Sequence, residues 1–192
     1  MLREKLKNRH IILASGSPRR HQFFNDLDIA FTIQLKEVEE IYPTALKGLE
    51  ITDFLADLKS KAFTNLDEND VLITSDTIVW LNGKALGKPK DKKEAFEMLR
   101  ALSGKKHEVM TSISLKGKHF QKIVNDVTVV YFKEISDEEI NYYIDHYKPF
   151  DKAGAYGIQE WIGFIAIDKI EGSFFNVVGL PVHKLYHELM NL

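Results

Sequence analysis

An apolar run ending in Ser15-Gly16-Ser17 and continuing into Pro18, Arg19 and Arg20 places two cations where a helix should begin. Ser17 suits the N-cap, and Pro18 suits the first helical position, where a missing N–H costs nothing. Arg19 and Arg20 then fall in the first turn, at the positive end of the helix dipole, which is unfavourable by about 0.3–1 kcal/mol each. A bound anion would offset that repulsion. A Ser-Gly-Ser turn opening a helix exposes backbone N–H groups that can cradle phosphate oxygens, and flanking arginines add charge-assisted bonds. The spacing is not that of a P-loop. Without an anion the same stretch reads as a solvated helix start whose arginines pair with nearby acids.

In "TSDTIVW" Asp76 lies inside a run rich in Ile, Val, Leu and Trp. A carboxylate in a sheet interior is costly unless it is paired or binds a metal, though the same residue would be unremarkable at a solvated strand end. "GKALGKPKD" brings Lys84, Lys88 and Lys90 together, and its Gly-Lys-Pro turn can present Lys88 to an anion or simply form a solvated loop. "KEVEEIY" supplies Glu37, Glu39 and Glu40. On an extended segment Glu37 and Glu39 share a face, and one carboxylate near Asp76 could share a Mg²⁺ with it, although such a run is more often a solvated edge. Lys59 stands beside an apolar helix stripe, placed to snorkel to water or to reach into a cleft. "FDKAGAYGIQ" combines Gly154, Gly157 and Gln159: glycines admit close backbone approach, and a carboxamide can read a base edge as donor and acceptor. His183 and His187 share a helix face without the acidic partner of an HExxH motif and read as a surface pair.

The elements that must position these residues alternate along the chain. Strands are expected at 10–14, 29–35, 71–81 and near 162–168, with two more around Lys116-Gly117-Lys118 and a hairpin signal at Asn82-Gly83. Helices are expected at 18–27, 52–64 and 92–102, the last opened by an Asp91/Glu94 capping box and closed at Gly104. Another follows a Ser136/Glu139 capping box with Ile140, Tyr143, Ile144 and Tyr147 as its apolar stripe, and a final one runs from about Pro181. Mixed strands and helices place the chain in the α/β or α+β class around a mixed sheet.

The 192 residues, 44% hydrophobic and 28% charged, suffice for one large or two-lobed domain with a real core. A net charge of −2 gives no electrostatic footprint for nucleic acid or an anionic membrane surface. No apolar run spans a bilayer, and "MLREKLKNRH" lacks a signal-peptide core. The absence of cysteine excludes disulfides and thiolate catalysis and fits a reducing, cytoplasmic setting.

In order, "LASGSPRR", "EVEE", "LADLKSKA", "SDTIVWLNGKALGKPKD", "LSGKKHEV", "DKAGAYGIQ" and "GLP" resemble the Maf family of nucleotide pyrophosphatases across residues 13 to 181. "SPRR" with "DKAGAYGIQ" is similar to the branch acting on dTTP and UTP, rather than to the sister branch preferring 7-methyl-GTP. The resemblance implies a single domain over residues 1–192, with no separable linker. Its fold would be a strongly twisted mixed sheet flanked by helices, in two lobes around a cleft, related to the inosine triphosphate pyrophosphatases. It also implies hydrolysis of a nucleoside triphosphate to the monophosphate and pyrophosphate with a divalent cation, Mg²⁺ or Mn²⁺, and a homodimer.

Carried onto this sequence, the resemblance makes Asp76 the proton acceptor and puts Glu39, Lys59 and Lys88 at the other catalytic or phosphate positions. Arg19, Thr77 and Gln159 fall at positions assigned to substrate preference. Ser15, Gly16, Arg19 and Arg20 would then hold the triphosphate, and Asp76 with Glu39 the metal. Thr77 and Gln159 would hydrogen-bond the pyrimidine carbonyl and N3–H. Two positions depart from the family pattern: Gln22 replaces a usual Glu, and Glu160-Trp161 follow Gln159 where Gly is usual, which bears on the base-side wall. Two other classes compete. A non-catalytic nucleotide or phosphopeptide sensor in cell-division control needs the basic site but not Asp76. A sugar-nucleotide transferase needs a second substrate.

Overall fold

A computed structural model describes residues 1–192. The chain runs through α1 (Leu2–Lys5), β1 (His10–Leu13), α2 (Pro18–Asp26), β2 (Phe31–Ile33), α3 (Leu49–Lys61) and β3 (Asp70–Leu81). Next come β4 (Lys84–Leu86), α4 (Lys92–Leu102), β5 (Lys106–Lys116), β6 (Gln121–Phe132) and α5 (Asp137–Tyr147). After two short 3₁₀ turns, α6 (Trp161–Ala166), β7 (Ile167–Glu171), α7 (Phe174–Val178) and α8 (Val182–Met190) complete it. The seven strands form one mixed sheet in the order β2-β1-β3-β5-β6-β7, with β4 on β3. β1 is parallel to both β2 and β3, whereas β4 on β3 and β7 on β6 are antiparallel.

Two compact units divide the chain. The first comprises Met1–Asp76, Thr111–Asp126 and Gly179–Leu192. Its core gathers Ile11, Leu13, Phe24, Val71, Ile73, Ile113, Leu115, Leu185 and Leu189. The second comprises Thr77–Met110 and Val127–Val178, built around Val79, Leu99, Leu102, Val130, Ile140, Tyr143, Ile144 and Ile162. Each buries its own apolar set, as a self-standing hydrophobic core requires. No helix is long and apolar enough to cross a membrane.

The strand at 71–81 and the helix at 92–102 stand nearly where the periodicity puts them. Ser136 and Glu139 form the full reciprocal capping box. At Asp91 only half of that box exists: its carboxylate accepts the Glu94 N–H, but Glu94 Oε2 takes the Lys90 N–H instead of that of Asp91. Pro18 does open α2, yet the Ser17 hydroxyl makes no capping bond. The helix expected at 52–64 begins at Leu49, after Gly48 at φ 53° turns the chain into it. The strand expected over 29–35 is confined to Phe31–Ile33.

The strand expected near 162–168 is the clearest departure. Residues 161–166 are helical and the strand follows at Ile167–Glu171. A short apolar run such as Trp161–Ala166 carries no periodicity that separates helix from strand; the Gly163 N–H bonding back to Glu160 O sets the turn.

Candidate functional site

In the first unit, parallel pairing sets Leu13 beside Ile73, and the Ala14 N–H donates to Ile73 O at 2.9 Å. The chain therefore leaves β1 at its carboxyl end for the Ser15–Ser17 stretch, level with Ser75 and Asp76 in the middle of β3, just past the last parallel pair. Ligands of open α/β sheets bind at that end. Ser15 is buried, and its Oγ accepts the Ser17 N–H at 3.2 Å. His21 Nε2 lies 2.5 Å from the Ser15 carbonyl oxygen, and Gly16 is exposed at the tip of the turn.

Arg20 ties this turn down. Its Nε donates to Gly179 O at 2.9 Å, and its Nη1 donates to Ser75 O at 3.2 Å and Ser15 Oγ at 3.4 Å. Burial lowers the guanidinium pKa to about 10, with Asp76 and Glu40 pulling upward and Arg19 downward, so it stays a cation at neutral pH. Arg19, Asp76 and Glu40 thus each lie within the electrostatic reach of Arg20. The buried Ser75 Oγ has no hydrogen-bond partner.

Asp76 is only 6% exposed. Its Oδ1 accepts a hydrogen bond from Lys59 Nζ at 2.6 Å, and the same ammonium lies 3.0 Å from Glu40 Oε1. The cost of holding a carboxylate in the strand interior is met by this cation. Lys59 sits in the last turn of α3, where the helix dipole favours positive charge. Polar contacts fix where α3 lies. Thr74 Oγ1 donates to Ala56 O at 2.6 Å, Thr52 and Ser112 hydroxyls meet at 2.7 Å, and Ser112 Oγ donates to Asp53 at 2.6 Å. The carboxylate brought to the Lys59–Asp76 pair is Glu40; it and its neighbour Glu39 are both exposed. Nothing in the "EVEE" run itself distinguishes the two, because the segment forms no regular strand and alternation does not apply.

No group of three or more His, Asp or Glu side chains stands ready as a metal cage. Two hard-oxygen donors, Asp76 and Glu40, flank Lys59, and Mg²⁺ is commonly held by one or two carboxylates with substrate phosphates completing its shell. The donor chemistry fits such a shared cation.

The second unit begins at Thr77, half-buried and next to Asp76 along β3. Lys88 is exposed in the turn after β4, above a buried Pro89. The Gly154 N–H donates to Gly87 O at 3.0 Å, which joins that turn to the "DKAGAYGIQ" loop. Gly154 has φ 66°, and a Cβ there would come within 2.7 Å of Val79 Cγ2, so only glycine fits. Residues 154–158 are buried, whereas Gln159 is exposed at the end of the loop. Tyr156 Oη lies 2.8 Å from His107 Nε2, and burial lowers the His107 pKa to about 4 and keeps it neutral. His183 and His187 are exposed on α8, as expected for a surface pair.

Residues 10–192 match the family model described as Maf-like protein. The chain is 60% identical over its full length, and over the full length of the relative, to a protein of Flavobacterium johnsoniae named dTTP/UTP pyrophosphatase. A Bacteroides fragilis protein of the same name is 50% identical over 95% of each chain. Among solved structures, a HAM1 protein from Coxiella burnetii aligns over 96% of this chain and 100% of its own, with TM-score 0.53 at 17% identity, a likeness of fold.

Proposed function

The chain belongs to the Maf family, and from that premise we propose that it hydrolyses dTTP and UTP to the monophosphate and pyrophosphate. One observation carries the reading: a nearly buried carboxylate, Asp76, is held by Lys59 in the middle of β3, with the guanidinium of Arg20 and the helix start after Ser17 in the same unit. That combination suits a polyanion whose anhydride must be attacked by water.

In this mechanism the Ser15–Gly16 turn, the first turn of α2 and Arg19 bind phosphate oxygens, so the dipole that disfavours the arginines acts favourably on the substrate. Arg20 contributes charge while its hydrogen bonds hold the turn in place. Lys59 stabilises the charge that develops as the anhydride opens. Water adds at the α–β anhydride, its proton passes to Asp76, and the bridging bond breaks to release pyrophosphate. Asp76 with Glu40, or with Glu39, would hold a divalent cation, which would supply charge neutralisation on the phosphates and a lowered pKa for water. In the second unit Lys88 is the proposed phosphate contact, and Thr77 and Gln159 are the proposed contacts to the pyrimidine.

Incubating the protein with dTTP, UTP, CTP and dATP, each with Mg²⁺ or Mn²⁺, tests the reading. Pyrophosphate and monophosphate released fastest from dTTP and UTP are expected. Binding without product would instead indicate a nucleotide sensor, and orthophosphate with a diphosphate would indicate attack at the wrong bond; either sinks the proposal.

A further inference from the structure

Glu160 directly follows Gln159, and the structure gives its carboxylate specific work. It is the N-cap residue of α6, a position where an acid ordinarily accepts N–H groups from its own helix. Here it makes no capping bond. Its Oε2 instead accepts the Tyr143 hydroxyl in a short hydrogen bond, and its Oε1 lies 3.0 Å from Lys152 Nζ. The Tyr143 oxygen in turn accepts the Gly157 N–H at 3.0 Å. Lys152 is 8% exposed, and its ammonium also donates to Asp151 Oδ1 at 2.8 Å, so a largely buried cation is shared between the two carboxylates.

This cluster spans the segment that carries Gln159. Gly157 is pressed so closely that a Cβ would lie 3.0 Å from both Glu160 Cδ and Lys152 Cε. Just upstream, Gly154 and Ala155 are both left-handed, at φ 66° and 59°. For Ala155 that conformation is strained and persists only where surrounding contacts over-determine it. Tyr143 lies in the middle of α5, fully buried, and therefore offers a rigid anchor. Burial and the adjacent Glu160 carboxylate raise its pKa, which keeps the hydroxyl protonated as a donor.

We propose that Tyr143 and Glu160 are positioning residues that set base discrimination by holding the Gly157–Gln159 segment, and with it the Gln159 carboxamide, in one conformation. The proposal rests on the reading of Gln159 as a base contact. A carboxamide discriminates between pyrimidines only if its donor and acceptor arrive in register with the ring, since it is the made or unmade hydrogen bond that separates one base from the other. The Glu160 carboxylate then couples the segment around Gln159 to the core through Tyr143 of α5.

The test compares kcat/KM for dTTP and CTP in Tyr143→Phe, Glu160→Gln, Gln159→Ala and the double variant Tyr143→Phe/Gln159→Ala, with folding checked by thermal unfolding. Tyr143→Phe keeps the ring and its packing. Glu160→Gln keeps the volume but removes the charge that pairs with Lys152 and leaves only a weaker neutral acceptor for the Tyr143 hydroxyl, and it serves if the first variant folds poorly. In both, the dTTP/CTP ratio is expected to fall about tenfold, with the dTTP loss appearing in KM rather than kcat. The double variant is expected to show no further fall beyond Gln159→Ala, because both changes act through one side chain. An unchanged ratio in Gln159→Ala would remove the base-contact reading itself, and this proposal with it. If Gln159→Ala lowers the ratio while Tyr143→Phe and Glu160→Gln leave it alone, or if the effects add, the positioning role is overturned and the base contact stands.

Discussion

Lys59 Nζ lies between two carboxylates, 2.6 Å from Asp76 Oδ1 and 3.0 Å from Glu40 Oε1, but the two acids are not equivalent. The Asp76 side chain is 9% exposed and that of Glu40 48%. Water can stabilise Glu40 if the ammonium is lost; Asp76 has no such recourse. Arg20 adds a second positive charge near Asp76, though its hydrogen bonds go to oxygens of Ser15, Ser75 and Gly179.

That asymmetry makes the two halves of the ion pair unequal in stability. Lys59→Met leaves a nearly buried carboxylate without its hydrogen-bonded cation and is expected to cost about 2–3 kcal/mol, with Arg20 limiting the loss. Asp76→Asn leaves Lys59 paired with Glu40 and is expected to cost less than about 1 kcal/mol. Urea unfolding of both single variants and the double variant checks the order. If Asp76→Asn is the more destabilising, the ammonium is not what compensates the buried acid.

Turnover should follow the opposite ranking of tolerance. Asp76→Asn cannot accept the proton of attacking water, so kcat for dTTP is expected to fall at least about 10²-fold, the lower end for loss of a general base. Triphosphate binding, measured by calorimetry, should survive, because Arg19, Arg20 and the helix start are untouched. A kcat within tenfold of the parent would assign proton transfer to another group.

The types of residue at this site were legible in the sequence; their partners were not. Asp76 stood out because a carboxylate in "TSDTIVW" needs compensation, but which cation supplies it depends on α3 lying across the sheet, through contacts such as Thr74 to Ala56 that no local pattern encodes. Glu39 and Glu40 were indistinguishable for the same reason: their segment is irregular, and only the tertiary fold brings Glu40 to Lys59. Arg20 read as a phosphate ligand because its carbonyl partners, Ser75 and Gly179, are distant in sequence. The long strand from 71 and the Ser136/Glu139 cap were readable because strand composition and cap chemistry act locally. The helix at Trp161–Ala166 was not, being too short for a period to declare itself.

Arg20 also gives a prediction about side-chain shape rather than charge. Its guanidinium reaches three oxygens in different segments, Ser15 Oγ, Ser75 O and Gly179 O. Lysine preserves the charge but, as a point donor, cannot span a fork of that width. Arg20→Lys is expected to destabilise the fold by about 1–2 kcal/mol and to raise KM for dTTP several-fold through a loosened Ser15–Ser17 turn, with little change in kcat. Steady-state kinetics alongside denaturant melts check this. Parent-like KM and stability would mean the turn is held without Arg20.

His107 makes the acid side of the stability curve informative. It is 2% exposed, edge-on to Phe132 and Tyr156, with Nε2 on the Tyr156 hydroxyl and Nδ1 without a hydrogen-bond partner. Burial lowers its pKa to about 4 from the ordinary 6.5. Between those values the unfolded chain binds a proton that the folded chain refuses. Stability therefore rises with pH through this window and is lost as pH falls from 6.5 towards 4, by about 3 kcal/mol in total. Below pH 4 both states are protonated and His107 contributes no further slope. His107→Gln, which cannot titrate, is expected to be less stable than the parent at pH 8 because of imperfect packing, yet to lose about 3 kcal/mol less between pH 6.5 and 4. Urea midpoints at half-unit intervals measure the difference of slopes directly. Parallel curves for the two proteins would show that the imidazole takes up its proton in the folded state as readily as in the unfolded chain.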